Sequence, residues 1–286
     1  MRRLIAGLAC VAVAALTAPA AATAAHARSN TVGPNPVNAL RKQFAANGGV
    51  KYRSSTKLKN QLVATTTGSF RFGRSGVVAS TLTTRIRVDP ADLSENPLLA
   101  ALPERTIKIG DTTYINSGVL RSELPPGRPW VEVNKGPATG LLGVFGQLIN
   151  PTEPATLKTL LAAGRSKRPG GVVDGSKTTV YSGTVTIARL YKVSPWLRGA
   201  LLVKPDAKLA RTKLDWRLYV GADGLPRRVV SSWSPAALGA GKAKLSTDSR
   251  FTSWGTKVSI KPPADDEIIQ IGETEAELTS PILTSK

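Results

Sequence analysis

Cysteine, histidine and methionine are almost missing from this chain of 286 residues, which has one of each. All three stand near the start, as Met1, Cys10 and His26. Beyond His26 no side chain can form a disulfide, bind zinc through sulfur or imidazole, or act as the base of a Ser-His-Asp or Cys-His pair. Stability must then come from a hydrophobic core, which a chain this long can build as one domain or as a large domain with a tail. Acid is scarce too. Lys and Arg number 39 against 19 Asp and Glu, a formal net charge of +20. Six of those acids (Asp265, Asp266, Glu267, Glu273, Glu275 and Glu277) sit in the C-terminal segment, so the body is more basic still. Such a surface suits phospholipid head groups or anionic wall polymers, or simply keeps the chain soluble. No zinc-finger, RRM or helix-turn-helix signature accompanies it, so nucleic acid is not an expected partner.

The longest apolar run lies at the front. Arg2 and Arg3 precede the stretch Leu4 to Leu16, and Ala25-His26-Ala27 forms an A-x-A site for a signal peptidase. The run is too short to span a membrane stably. Residues 1–27 therefore read as a cleaved export signal, and the protein is expected to be secreted, starting at Arg28. Cys10 offers a competing signal, lipid anchoring, because Gly7-Leu8-Ala9 before it partly matches a lipidation site. Apolar sequence continues for six residues after it, however, so the cysteine falls inside its own hydrophobic run. Lipid anchoring is the weaker reading.

Residues 28–36 (RSNTVGPNP) are polar and read as a flexible start. In VNALRKQFAA (37–46), Val37, Leu40 and Phe44 share a helical face, and Asn47-Gly48-Gly49 ends it. Period-two alternation then takes over. In ASTLTTRIRV, Leu82, Thr84, Ile86 and Val88 point one way while Arg85 and Arg87 point the other. In RTKLDWRLYV, Leu214, Trp216, Leu218 and Val220 oppose Arg211, Lys213, Asp215 and Arg217. These are half-buried antiparallel strands with an oily face and a basic face. Further strands are expected near 50–58, 61–72, 105–117, 130–134, 177–187, 225–233 and 243–260, with turns at Asp174-Gly175 and Asp223-Gly224. Helices are expected over 95–104, over 139–164 with a break at Asn150-Pro151, and over 187–203 with a split at Pro195. In the first half of 139–164, Leu141, Leu142, Phe145, Leu148 and Ile149 form one stripe, and almost nothing opposite it seeks water. That piece should be buried in a core or cover an apolar ligand.

Catalytic patterns fail one by one. Ser54-Ser55-Thr56-Lys57 matches S-x-x-K but lies in an expected strand, without the companion motifs. Asp89, Asp92 and Glu95 match no calcium loop. Gly73-Arg74-Ser75-Gly76 reads as a turn. No catalytic residue, metal or cofactor is expected, and a curved sheet with helices against it is one way to enclose an apolar cavity.

Several phrases in order carry a resemblance. DTTYIN (111–116) leads to LPPGRPWVEV (124–133). NPTEPATLKTLLAAG (150–164) leads to VVDGSKTTVYSGTVTI (172–187). DWRLYVGADGLPRRVV (215–230) and FTSWGTKVSIKPPADDEI (251–268) close the series. The set resembles the LppX/LprG-type envelope proteins of actinobacteria, which have a LolA-like fold. The resemblance implies an α+β domain over 37–268, followed by an acidic tail over 269–286. The domain would be a large curved antiparallel half-barrel wrapped around helices, with an apolar cavity for acyl chains. It implies a non-enzymatic binder of a lipid or glycolipid, for transport or sensing in the cell envelope. Leu82, Ile86, Leu214, Trp216 and Leu218 are the expected cavity wall, with Leu141, Leu142 and Phe145 as cover. Arg85, Arg87, Arg211, Lys213 and Arg217 would meet an anionic membrane surface. The alternative is a structural or adhesion module that uses the basic face on wall polymers. Family members usually carry a lipidated cysteine just before the domain; here none stands there, so a soluble form is implied.

Overall fold

The computed structural model describes residues 34–58, 61–87, 103–121, 123–238 and 243–270. Outside the described residues lie the export signal with Cys10, most of the helix expected over 95–104, the carboxylates Asp89, Asp92 and Glu95, and the tail beyond Gln270.

The alternating segments assemble into one twelve-stranded, curved and unclosed sheet. Six strands form a first meander: β1 (Gly49–Leu58), β2 (Gln61–Gly73), β3 (Gly76–Ile86), β4 (Glu104–Ile109), β5 (Thr112–Asn116) and β6 (Trp130–Asn134). A second meander comprises β7 (Gly164–Val173), β8 (Ser176–Thr186), β9 (Lys213–Gly221), β10 (Pro226–Trp233) and β11 (Leu245–Thr256). Antiparallel pairing of β1 with β11 joins the two. A last short strand, β12 (Ile268–Gln270), runs parallel to β6. The order across the sheet is β12-β6-β5-β4-β3-β2-β1-β11-β10-β9-β8-β7, with β12 and β7 at the edges.

Local chemistry explains most boundaries. In β9, Leu214, Trp216, Leu218 and Val220 are buried while Lys213, Asp215 and Arg217 are exposed, as the alternation requires. Asp174 and Gly175 both have positive φ, +48° and +76°, which suits the tight two-residue hairpin between β7 and β8. Helix α1 (Pro36–Ala45) starts where the Asn35 side chain accepts the N–H groups of Val37 and Asn38, and it buries Ala39, Leu40 and Phe44. A helical turn, α2 (Gly118–Arg121), follows β5. Then come α3 (Pro154–Ala162), α4 (Ile187–Val193), α5 (Pro195–Leu201) and α6 (Ala207–Arg211). Pro195 separates α4 from α5 as expected, and Ser194 caps the second by accepting the Leu197 N–H.

The longer helices pack on one face of the sheet, here called the inner face. Leu40, Phe44, Leu157, Leu160, Leu190 and Leu197 join Tyr52, Phe70, Trp216, Leu218 and Phe251 in a single core. A smaller core sits on the outer face at the other end, where Ile260 and Val258 pack with Ala79, Ile107 and Trp130.

Some expectations need correction. The strand over 105–117 is two strands, because Gly110 (φ +56°) turns the chain. The strand placed from Arg211 begins at Lys213; α6 occupies 207–211, capped by the Asp206 side chain. The last long strand stops at Thr256. Strand β7 was not expected, since GRSKRPGGVV has no alternation. An edge strand exposed on both sides needs none. Pro36 already belongs to α1, and β12 runs past the boundary expected at 268.

Candidate functional site

The segment 139–152 crosses the inner face as an irregular strap of turns and bends, not as the helix expected in its first half. Only Gly143–Phe145 makes a single 3-10 turn. Glycine and two polar residues determine this. Gly140 has φ +68°, and a Cβ there would lie 2.0 Å from Glu104 Oε1. Glu104, buried on β4, accepts the backbone N–H groups of Leu141 and Leu142 at 3.2 and 3.3 Å. Burial nevertheless pushes its carboxyl up to about 7, against those hydrogen bonds. Further along, the Gln147 side chain lies under the sheet. Its Oε1 accepts from Ser231 Oγ (2.6 Å) and from Ile149 N (3.2 Å), while its Nε2 donates to Ser249 Oγ (3.2 Å) and the Val229 carbonyl (3.4 Å). The apolar spacing of the strap therefore marked burial correctly and conformation wrongly.

Beside the strap an open groove of about 770 Å3 runs between the sheet and the helices. Phe70, Val77, Val78, Ala138, Val193, Trp196 and Leu202 supply apolar wall, and Lys108, Lys135, Arg198, Asp111 and Glu153 supply charge. The rings of Phe70 and Trp196 meet edge-on at 5.7 Å, and Trp196 Nε1 donates to the Gln147 carbonyl at 2.6 Å. Glu153 holds two helix starts together. Its Oε2 accepts from Thr156 Oγ1 at 2.7 Å and from Ser194 Oγ at 2.6 Å, and its Oε1 accepts from Trp196 N at 2.7 Å. Its pKa is raised by burial, which those donors and Arg198 only partly offset. Three acceptors engage the Lys108 ammonium: the carbonyls of Asp111 and Gly136, and Thr113 Oγ1. Burial lowers its pKa, and it offers a ligand charge but no spare N–H. Lys135 and Arg198 are exposed at the rim. Ser80, buried in the wall, has a hydroxyl with no partner among the described residues.

The structure places the eight expected wall residues elsewhere. Leu82, Leu214, Trp216 and Leu218 fill the main core. Leu142 is buried, and Ile86, Leu141 and Phe145 are half-buried. None of the eight lines the groove. Phe70 and Trp196 were not singled out, although Phe70 and Phe72 alternate in β2 on the face later found to be inner.

The five expected surface cations are all exposed. Arg85 and Arg217 share one cross-strand row on the outer face, through Thr65, Ser55, Asp248 and Val230. Four strands stand between β3 and β9, so the two are roughly 24 Å apart at ~4.8 Å per strand. A neighbouring row places Arg53, Arg250 and Arg228 side by side. Arg228 there is bidentate with Asp248 at 2.8 and 2.6 Å, and Arg250 bonds Asp174 at 2.8 Å.

No family model and no curated protein sequence matches the chain. Among solved structures it is similar to LprF from Mycobacterium bovis, at 15% identity and TM-score 0.45, over 81% of this chain and 99% of that one. It is similar to the MucA/MucB complex of Pseudomonas aeruginosa at 15% identity and TM-score 0.31, over 81% and 59%. A LolA superfamily protein from Nitrosomonas europaea gives 7% identity and TM-score 0.28, over 78% and 94%. These are likenesses of fold alone.

Proposed function

We propose that this protein is a non-enzymatic binder that holds the acyl chains of a lipid or glycolipid in the groove, for transport or sensing in the cell envelope. The groove carries the reading. Its volume of about 770 Å3 falls within the ~300–1,000 Å3 of small-molecule sites. Its Phe70–Trp196 floor is apolar, so each methylene withdrawn from water contributes about 0.8 kcal/mol. Its charged rim suits a polar head. Glu153, one of the two carboxylates that line it, already accepts three hydrogen bonds from the protein, which leaves it poorly placed to act as a general acid or base. The expected export signal would put the protein outside the cytoplasm. No helix of the described residues is long and apolar enough to cross a membrane.

The test is native and then denaturing mass spectrometry on protein secreted by its own host. Extra mass released as an extractable lipid is the expected result; the same bare mass in both conditions would overturn it. Ala155, exposed in the groove wall at the start of α3, gives the matched variant. Ala155→Trp fills the groove without removing core packing, so lipid retention should fall several-fold while the melting temperature holds.

A second reading draws on the Arg53–Arg250–Arg228 row, which Arg168 of β7 extends through Val180 and Tyr219. It has the outer face binding an anionic wall polymer. Binding to polyphosphate that weakens steeply with salt, in protein with no lipid inside, would favour it.

A further inference from the structure

We propose that the turn between α5 and α6, centred on Leu202 and Val203, is a membrane-docking tip, and that the surface it docks on is an anionic lipid bilayer. The inference rests on the groove reading, since the tip stands at the groove's mouth.

Single exposed apolar residues need no explanation. This pair differs in three respects. First, Leu202 and Val203 are adjacent and 51% and 57% exposed, and Leu202 lines the groove rim. Val77, 38% exposed, lines the same groove beside the exposed Arg74. Among the described residues, three of the five exposed large apolar side chains thus gather around one opening.

Second, the backbone is strained where it presents them. Leu202 has φ +60° and ψ −35°, and the Val203 N–H donates to the Leu201 carbonyl at 2.6 Å. That is a γ-turn with positive φ at a residue that is not glycine, a conformation L side chains rarely adopt. Strain of this kind gathers at ligand clamps and switch regions. Here it keeps two oily side chains in water.

Third, the chain on either side of the tip is strongly basic. Arg189, Lys192, Arg198, Lys204, Lys208 and Arg211 are all exposed between Ile187 and Arg211. The only acid in that stretch is Asp206, whose side chain is used in accepting the Leu209 N–H. On the outer face, by contrast, Arg228 and Arg250 are already paired with aspartates. An apolar tip followed by Lys204 and Lys208, neither of them in an ion pair among the described residues, complements a bilayer of anionic head groups over an apolar interior. Docked this way, the groove would open onto the lipid surface.

The experiment is flotation of the full secreted chain with phosphatidylcholine vesicles, with and without phosphatidylglycerol. Wild type should float with the anionic vesicles. The triple variant Val203→Ser, Lys204→Glu, Lys208→Glu touches no groove residue, and its partitioning should be at least about twentyfold weaker, near fivefold per cation lost. Leu202→Asn, which accepts a positive φ more readily, should weaken docking without lowering the melting temperature. Arg85→Glu with Arg217→Glu, on the strand faces, should float as wild type does. If the triple variant floats unchanged, or the strand-face variant is the one that fails, the proposal is overturned. Native mass spectra of the same samples separate the two readings. Bound lipid with tip-independent flotation sinks the tip and leaves the groove. Tip-dependent flotation without any bound lipid sinks the groove and leaves the tip.

Discussion

Glu104 sets two local forces against each other. Two backbone N–H groups favour its charged form, while burial on the inner face of β4 disfavours it more strongly and raises the carboxyl to about 7. The folded group therefore holds its proton more tightly than the unfolded one. Its contribution to stability is fully present below about 4.5, the ordinary value for a glutamate, and is lost as pH rises through about 7. Glu153, also raised by burial, acts with the same sign. The only histidine is His26, so few other groups obscure that window. Urea midpoints measured from about pH 5 to pH 8 should fall, and Glu104→Gln should flatten much of the slope. A midpoint that rises across the window would mean that the N–H groups, and not burial, govern this carboxyl.

Among the elements, the two edges of the sheet are protected differently. Strand β12 is only three residues long, while β7 is long and relies on Arg165, Lys167, Arg168, Pro169 and two bulges. Replacing Lys167, Arg168 and Pro169 together by Thr, Val and Val should leave the fold intact and produce dimers or larger species by light scattering; a strictly monodisperse variant would refute this. The same strand shows why parts of the fold were hard to read in the sequence. Where chemistry is local, as in the Pro195 split, the Asp174-Gly175 turn or the alternation of β9, the sequence reading and the structure agree. Where a remote partner decides, they part. The strap has a helical spacing of leucines, yet Gln147 meets Ser231 and Ser249, strands away, and Gly140 is needed against Glu104. The groove was less legible still. Apolar residues such as Trp216 and Leu218 look alike whether they face a ligand or a packed core, and only the placement of α3 and α5 decides that Phe70 and Trp196 form a wall.

The whole molecule has two cores of unequal size on opposite faces of one sheet. The smaller one depends on the chain after β11. Ending the chain at Thr256 removes Val258, Ile260 and β12, and so uncovers Ala79, Ile107 and Trp130. Amide exchange should then quicken in β4 to β6 while β8 to β10 keep their protection, and uniform loss of protection would show a single cooperative unit instead. The seam between the meanders has a further consequence, in time. Tyr52 meets Ser249 across 197 positions of sequence, and Thr56 meets Thr247 across 191. A chain made from its N-terminus must therefore wait until almost all of it has emerged before β1 finds β11. Until then the first meander presents β1 as an open edge. This architecture suits a polypeptide that is kept unfolded during synthesis and folds late, and its slowest step should be the closing of that seam.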